Sequence, residues 1–171
     1  MDDYAHAFGE LSDRLVAAAW LILRDAALAA DVTAEAFAKV YPRWRAGRVE
    51  DLRGYLYRAV VNEALSTSRR RRRRHVVSTT GPVPDFADEV VQRDRLAAAL
   101  SSLGRPQRAV LVLRFYLDLS EVDAAAALGW PIGTVKSTTA RGRWVFRRAD
   151  SGQARGKRRA AGLAAPLTGL A

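Results

Sequence analysis

The amino-acid sequence predicts an all-α protein made of two small helical domains joined by a flexible linker, the second domain containing a helix-turn-helix. Apolar residues recur at steps of three and four along most of the chain, which is the spacing of an amphipathic helix. The sequence has no strand-rich segment and no internal repeat. Between the helical parts, residues 75–94 are rich in proline, threonine and acidic side chains, a composition typical of a flexible linker.

The first predicted domain covers residues 1–74 and begins with two amphipathic helices. Apolar side chains repeat with helical spacing over residues 4–24 and again over 29–41. Asp31 and Glu35 lie four residues apart on the outer face of the second helix. Like charges at this spacing destabilise a helix by roughly 0.2–0.5 kcal/mol. These acids therefore either lie in solvent or face a basic partner.

A third helix of this domain leads into six consecutive arginines, residues 69–74. Pro42 and Gly47 bracket a predicted loop that contains Trp44, and the helix is expected to start near Asp51. The residues expected on its outer face are Arg53, Tyr57, Arg58, Val61, Asn62, Ser66 and Arg69. Aromatic, arginine and amide groups beside a cationic run suit stacking on unpaired bases and neutralisation of the backbone. An arginine run of this density also occurs as a nonspecific basic patch or a localisation signal.

The second predicted domain covers residues 95–150 and carries the helix-turn-helix. Ser120 followed by acidic residues predicts a helix start, because the serine oxygen can accept a hydrogen bond from an orphan N–H and the acids favour the positive helix end. Gly129 stands where a chain leaves a helix in a left-handed conformation. Pro131 presets the backbone for the start of the second helix.

The second helix of this motif is expected to turn short hydroxyls and cations outward. Its outward residues are Thr134, Lys136, Ser137, Thr138 and Arg141. These side chains are of the types that reach base edges and phosphates in a major groove. The spacing alone also fits an ordinary helical hairpin in an all-α core. Residues 136–148 contain cations and no acid, however, and this favours DNA because solvated surfaces usually mix both signs.

Composition excludes several classes of protein. The net charge is +10, and the cations are concentrated in two stretches separated by near-neutral or acidic chain, which indicates two phosphate-facing sites. The chain has no cysteine and two scattered histidines, so we expect neither a metal site nor a cofactor. No apolar run approaches the ~18 residues of a membrane span. We expect a cytoplasmic protein with a basic, disordered tail over residues 151–171.

With these pieces in order, the sequence resembles the extracytoplasmic-function sigma factors, group IV of the sigma-70 family and initiation subunits of bacterial RNA polymerase. LGRPQRAVLVLRFYLDLS followed by LGWPIGTVKS is close to the pattern of the family's region 4. AADVTAEAF is similar to the polymerase-docking segment of region 2. RGYLYRAVVNEAL followed by the arginine run resembles its promoter-facing helix. The likeness covers about residues 4–74 and 96–148.

The resemblance implies roles for particular residues and partners. The residues that match the polymerase-docking segment are Asp31, Glu35 and Phe37. Those that match the minus-10 contacts are Arg58, Asn62, Arg69 and Arg70. Those that match the minus-35 recognition helix are Thr134, Lys136, Ser137, Thr138 and Arg141. The loop around residues 44–51 would capture an extruded base as the duplex melts. The implied partners are core RNA polymerase, promoter DNA and an anti-sigma factor.

The sequence departs from the family pattern at several positions. Ala30 and Ala34 stand where the family often has Glu and Gln, which predicts a weaker polymerase contact. In the second domain the departures are Ala124, Pro131, Thr139 and Gly142. Because glycine inside a helix costs about 1 kcal/mol relative to alanine, we expect a looser second domain.

Two other functions compete with that of a sigma factor. A stand-alone transcriptional regulator would use only the helix-turn-helix, with residues 1–74 as an effector or dimerisation domain. An enzyme such as a nuclease is the weaker alternative. The sequence contains no phosphate-binding loop, nucleophile–base pair or cluster of metal ligands, so we expect no catalytic site.

Overall fold

A computed structural model describes residues 2–73, 100–101 and 103–144, and the described chain is helical apart from short connections. Its elements are α1 (Asp2–Leu23), α2 (Ala26–Arg45), α3 (Leu52–Arg73), α4 (Arg105–Leu111), a π-helical segment (Val112–Tyr116), α5 (Glu121–Leu128) and α6 (132–144). These residues include no strand, and the predicted all-α class is confirmed. The predicted linker, 75–94, and the tail lie outside the described residues.

Helices α1, α2 and α3 pack against one another as a three-helix unit, which we call the first unit. Its core is aliphatic, and Leu15, Ile22, Val40 and Leu56 are each at most 1% exposed. Asp25 ends the short turn between α1 and α2 and accepts a hydrogen bond from the backbone N–H of Leu28 at 3.0 Å. This cap fixes where α2 begins.

Helix α2 continues through Pro42 to Arg45, so the prediction that a loop begins at Pro42 was wrong. Proline in the last turn removes only one hydrogen bond, and the aromatic residues around it stabilise the extension. The ring of Tyr4 lies 5.1 Å from that of Tyr41 and 5.2 Å from that of Trp44. The connection to α3 is residues 46–51, in which Gly47 takes φ +68.

Helix α3 is buried over a wider arc than its apolar pattern indicates. Tyr57 and Val61, which were expected on the outer face, are 5% and 0% exposed. The reason is that α3 contacts α1 and α2 on one side and α4 and α5 on another. A helix with neighbours on two sides needs a second buried stripe.

The remaining helices form a second unit around the helix-turn-helix. Ser120 caps α5 as predicted, its side chain accepting from the backbone N–H of Asp123 at 3.0 Å. Gly129 ends α5 with φ 64, the predicted left-handed conformation. The helix that starts as α4 is not uniform, because it continues as the π-helical segment, closed by a bond from Leu117 N–H to Val112 C=O at 2.9 Å.

Gly142 does not loosen the second unit in the way its helix propensity suggested. It is buried in α6, and a Cβ built there would lie 2.2 Å from Leu111 Cδ2. The missing side chain therefore allows α6 to approach α4 closely. Thr139 does carry a cost, since its buried hydroxyl finds no hydrogen-bond partner among the described residues.

The two units lie against each other. Helices α1 and α3 both contact α4, α1 also contacts the π-helical segment, and α3 contacts α5. The buried apolar side chains of both units form one continuous cluster. Part of the face of α3 that was expected to meet DNA therefore has a protein neighbour.

Candidate nucleic-acid and polymerase interfaces

The outer face of α2 presents two acids among short side chains. Asp31 and Glu35 are exposed, and so are Ala34 and Ala38 next to them on this helix. Lys39 Nζ lies 2.7 Å from a carboxylate oxygen of Glu35, at the end of this face nearest α3. An acidic surface with short neighbours suits a basic, protruding partner element.

Phe37 lies in the core rather than on this face. It is 4% exposed, its ring centroid is 4.8 Å from that of Phe8, and its carbonyl accepts from the Tyr4 hydroxyl at 2.5 Å. It shares the inner face of α2 with Ala36 and Val40, which are also buried. Phe37 therefore packs α2 against α1 and is not exposed on the acidic face of α2.

The contact between Tyr4 and Phe37 predicts a dependence of stability on alkaline pH. Burial raises the pKa of Tyr4 to about 12. Because this folded-state pKa lies above the unfolded value of about 10, the stabilisation is complete below pH ~10 and is lost as pH rises towards about 12. We expect the free energy of unfolding, measured with urea between pH 9 and 11, to fall less steeply in Tyr4→Phe than in the unaltered protein. Parallel pH profiles would contradict this.

Three of the four predicted minus-10 residues share one face of α3. Arg58, Asn62 and Arg69 are all exposed, at spacings of four and seven residues. Tyr55 lies on the same strip and was missed by the sequence analysis, which chose the buried Tyr57. Its hydroxyl accepts from Arg43 Nη1 at 3.1 Å, and the Arg58 guanidinium lies 5.5 Å from its ring centroid. Tyr55 lies three residues before Arg58 and seven before Asn62, and this helical spacing could have placed it on their face from the sequence.

The arginine run is divided between surfaces. Arg70 Nη2 lies 2.6 Å from Glu63, whose other oxygen is 2.7 Å from Lys39, so the predicted phosphate ligand Arg70 is engaged within the protein. Partial burial raises the pKa of Glu63, but the hydrogen bonds from Lys39 and Arg70 outweigh it, and the pKa is lowered overall. Arg71 pairs with Asp25 at 2.9 Å.

The other described arginines of the run lie on the surface. Arg69, Arg72 and Arg73 are exposed, and Arg69 continues the strip that Tyr55, Arg58 and Asn62 begin. Arg74 lies outside the described residues. The basic surface of α3 is therefore narrower than six arginines in a row indicated.

The recognition helix α6 exposes four of its five predicted contact residues. Thr134, Lys136, Ser137 and Arg141 are exposed, whereas Thr138 is 5% exposed. Thr138 belongs to the buried stripe of α6, because it lies three residues after Val135 and four before Gly142. The helical period thus places Thr138 against the unit and removes it from the surface that can reach bases.

Asn62 joins the predicted minus-10 face of α3 to the first helix of the helix-turn-helix. Its side-chain amide donates to the backbone carbonyl of Ala127 in α5 at 2.7 Å. In this arrangement the side-chain amide of a predicted minus-10 residue is hydrogen-bonded to the helix-turn-helix of the same chain.

Within the described chain we find no cluster of three or more His, Cys, Asp or Glu side chains that could hold a metal ion. None of the described helices is both long and apolar enough to cross a membrane.

Two helical units, one with a helix-turn-helix and one with a basic, aromatic strip, define a bipartite DNA-binding protein. The chain matches the family model described as Sigma-70 region 2 over residues 7–74 and the one described as Sigma-70, region 4 over residues 93–144. It belongs to the sigma-70 family of RNA polymerase sigma factors, as an extracytoplasmic-function type. The protein therefore functions in transcription initiation, and this result favours the sigma factor over the stand-alone regulator.

Individual relatives agree with this assignment. The RNA polymerase sigma-E factor of Streptomyces coelicolor is 34% identical over 132 residues, covering 74% of this chain and 73% of the relative. The protein of the same name from Streptomyces avermitilis is 33% identical with the same coverage. The sequence resemblance to the family is thus confirmed along most of the chain.

Two solved structures share the fold at lower sequence identity. The sigma factor RpoE from Bartonella quintana, in complex with the anti-sigma factor NepR, superimposes with a TM-score of 0.73 at 23% identity, covering 88% of this chain and 98% of that one. CnrH in complex with the cytosolic domain of CnrY gives a TM-score of 0.62 at 19% identity, covering 87% and 88% of the two chains.

Proposed function

We propose that this sigma factor binds core RNA polymerase through the acidic face of α2 and reads two promoter elements with separate units. The strip of Tyr55, Arg58, Asn62 and Arg69 contacts the minus-10 element. The exposed face of α6 contacts the minus-35 element. The observation that supports this division most directly is that cations and hydrogen-bonding groups share one exposed face in each unit.

The proposed melting step needs no bond chemistry. Tyr55 is held between two arginines and offers a ring to an unpaired base, while Arg58 and Arg69 neutralise nearby phosphates. Trapping unpaired bases shifts the duplex towards its open form.

We further propose that the protein acts in the cytoplasm and has neither an enzymatic site nor a cofactor. Residues 75–94 serve as the linker between domains 1–74 and 95–150, and 151–171 is a dispensable tail.

An anti-sigma factor is a further proposed partner. RpoE, which shares this fold, is in complex with the anti-sigma factor NepR, and CnrH, which also shares it, is in complex with the cytosolic domain of CnrY. A protein that covers the α2 face or the α3 strip would block polymerase or promoter contacts. Co-purification from the native host, followed by competition against core polymerase, tests this partner.

Reconstitution of holoenzyme is the direct test of the function. We expect the protein to bind core polymerase and to direct specific initiation from a promoter selected by the holoenzyme. Absence of binding to core polymerase would exclude the proposal.

Asn62→Ala should spare binding to duplex promoter and slow open-complex formation. Permanganate footprinting of unpaired thymines measures the rate of opening.

Substitutions in α6 test the minus-35 surface. Lys136→Ala and Arg141→Ala should each weaken holoenzyme binding at the minus-35 element and reduce the salt slope by about 1, because each removes one phosphate-neutralising cation. The control is Thr138→Val, a substitution in the buried stripe of the same helix, for which the salt slope should not change. A salt slope that responds to Thr138→Val but not to Lys136→Ala would show that the surface is wrongly assigned.

A further inference from the structure

A cluster of four polar side chains joins α2 to α3 within the first unit. Its members are Lys39, Glu63, Thr67 and Arg70, and we call it the Glu63 cluster. Glu63, Thr67 and Arg70 are spaced by four and three residues, so they lie on one face of α3. Lys39 meets them from α2, where its Nζ lies 2.7 Å from Glu63 Oε2.

Both carboxylate oxygens of Glu63 have partners in this cluster. Oε1 accepts from Arg70 Nη2 at 2.6 Å and from Thr67 Oγ1 at 3.3 Å, while Oε2 accepts from Lys39 Nζ at 2.7 Å. Arg70 Nη2 also donates to Thr67 Oγ1 at 3.0 Å, so the guanidinium is held at two points. The Glu63 side chain is 12% exposed, and water therefore screens its charge less than that of an exposed ion pair.

Arg70 lies on a different side of α3 from the strip of Tyr55, Arg58, Asn62 and Arg69. It follows Arg69 directly, and each residue turns an α-helix by about 100°. A single strand that follows the strip therefore passes Arg69 and not Arg70. A duplex carries a second phosphate backbone, which can reach a cation on the neighbouring side of the helix.

A phosphate can bind Arg70 only in competition with Glu63. The exchange replaces one anionic partner of the guanidinium by another, so the attraction gained at the phosphate is offset by the attraction lost at the carboxylate. It also leaves the mostly buried carboxylate with Lys39 alone, and Lys39 Nζ is shared with Glu35 at 2.7 Å. No acid of the described chain forms an ion pair with Arg69. Arg70 therefore attracts DNA less than Arg69 does.

We propose that Glu63 is a specificity-determining residue that holds Arg70 off DNA, so that α3 binds the melted minus-10 strand in preference to duplex. Glu63 touches no nucleotide in this role, and it acts through Arg70 as a positioning residue. With Arg70 withheld, the strip binds one strand without a flanking cation that would favour two. The inference rests on the proposed function for the identity of the nucleic acid, whereas the withholding of Arg70 does not depend on it.

Holoenzyme binding to two forms of one probe tests this preference. The probe is the minus-10 segment of a promoter selected by the holoenzyme, as a duplex and as a single strand. Glu63→Gln should release Arg70, tighten binding to the duplex about fivefold at about 0.15 M salt, and steepen the salt slope by about 1, as one added phosphate contact does. Binding to the single strand should change by less than about twofold. An equal gain on both probes, or no gain on the duplex, would overturn the preference.

Arg70→Ala shows whether the effect passes through Arg70. In the Glu63→Gln background it should return the duplex affinity and the salt slope to those of the unaltered protein. If Arg70→Ala alone made the slope shallower by about 1, Arg70 would already bind phosphate and the proposal would be wrong.

The matched control removes another acid of the first unit without releasing an arginine. Asp13 is exposed and forms no ion pair with the described residues. Asp13→Asn should leave the salt slope unchanged. A rise equal to that of Glu63→Gln would show that net charge alone explains the gain, which would overturn the role of Arg70.

A measurement without polymerase separates this inference from the proposed function. Circular dichroism verifies that the variants fold, and Glu63→Met, which has a similar length, replaces Glu63→Gln if the latter does not fold. The full chain alone on nonspecific duplex should show the same difference in salt slope, and equal slopes would exclude the withholding of Arg70. If no variant bound core polymerase, the proposed function would fail, while these slopes would still decide whether Glu63 withholds Arg70.

Discussion

Arg71→Ala is expected to destabilise the first unit by about 1–3 kcal/mol, because it removes the charged hydrogen-bond partner of a buried carboxylate. Asp25 is 7% exposed and has two partners. Oδ1 accepts from the N–H of Leu28 at 3.0 Å and Oδ2 lies 2.9 Å from Arg71 Nη1. The pair therefore joins the start of α2 to the end of α3, and its loss weakens both the cap and the packing between the helices.

The neighbouring arginine supplies the control for this prediction. Arg72 is exposed and follows Arg71 directly in the run. Arg72→Ala should change the free energy of unfolding by less than about 0.5 kcal/mol, as surface substitutions usually do. Urea titrations followed by circular dichroism measure both variants. Equal midpoints for Arg71→Ala and Arg72→Ala would show that the pair with Asp25 does not stabilise the fold.

This difference between adjacent arginines shows where sequence reasoning stops. The density of the run predicted a cationic helix end correctly. It did not show that Arg70 and Arg71 are engaged with Glu63 and Asp25, because Asp25 lies 46 residues away in the sequence. Partners so distant are set by how α2 and α3 pack, which no local pattern records.

Local signals predicted the helix ends more reliably. Ser120 and Gly129 act within one turn of their own helix, so their chemistry determines the outcome. Pro42 failed as a helix stop because aromatic packing on Tyr4 stabilises the last turn of α2. A propensity is a weak preference that a tertiary contact of this kind overrides.

The candidate site shows a second limit. The family resemblance placed Phe37 at a functional position by its register in a motif, and Thr138 was placed outward both by the residue pattern of the helix and by the resemblance. A motif gives the position of a residue along the chain, whereas packing against neighbouring helices decides whether that residue is buried or exposed. Counting steps of three and four from the buried Val40 and Val135 puts both residues inside. Tyr57 was misplaced for another reason, since α3 has packing partners on two sides.

Gly142→Ala is the second substitution with a large expected effect, and intrinsic propensity gives the wrong sign for it. Alanine in a helix interior is normally favoured over glycine by about 1 kcal/mol. Here the added Cβ would lie 2.2 Å from Leu111 Cδ2 and 2.7 Å from Cδ1. Leu111 is 0% exposed, so its side chain cannot relieve this contact by turning into solvent. Overpacking of this kind costs about 1–3 kcal/mol, and we expect a net loss of stability.

A glycine of the same helix provides the matched control. Gly133 has no atom within 4 Å of a Cβ built on it, so Gly133→Ala should not lower stability. Leu111→Val removes one carbon where Gly142→Ala adds one, and the double variant should recover most of the loss. Thermal unfolding of the unaltered protein and the four variants measures this, and duplex binding by holoenzyme shows whether the displaced α6 also loses its minus-35 contacts. If Gly142→Ala raised the melting temperature, α6 would not pack on Leu111 as closely as it does in this structure.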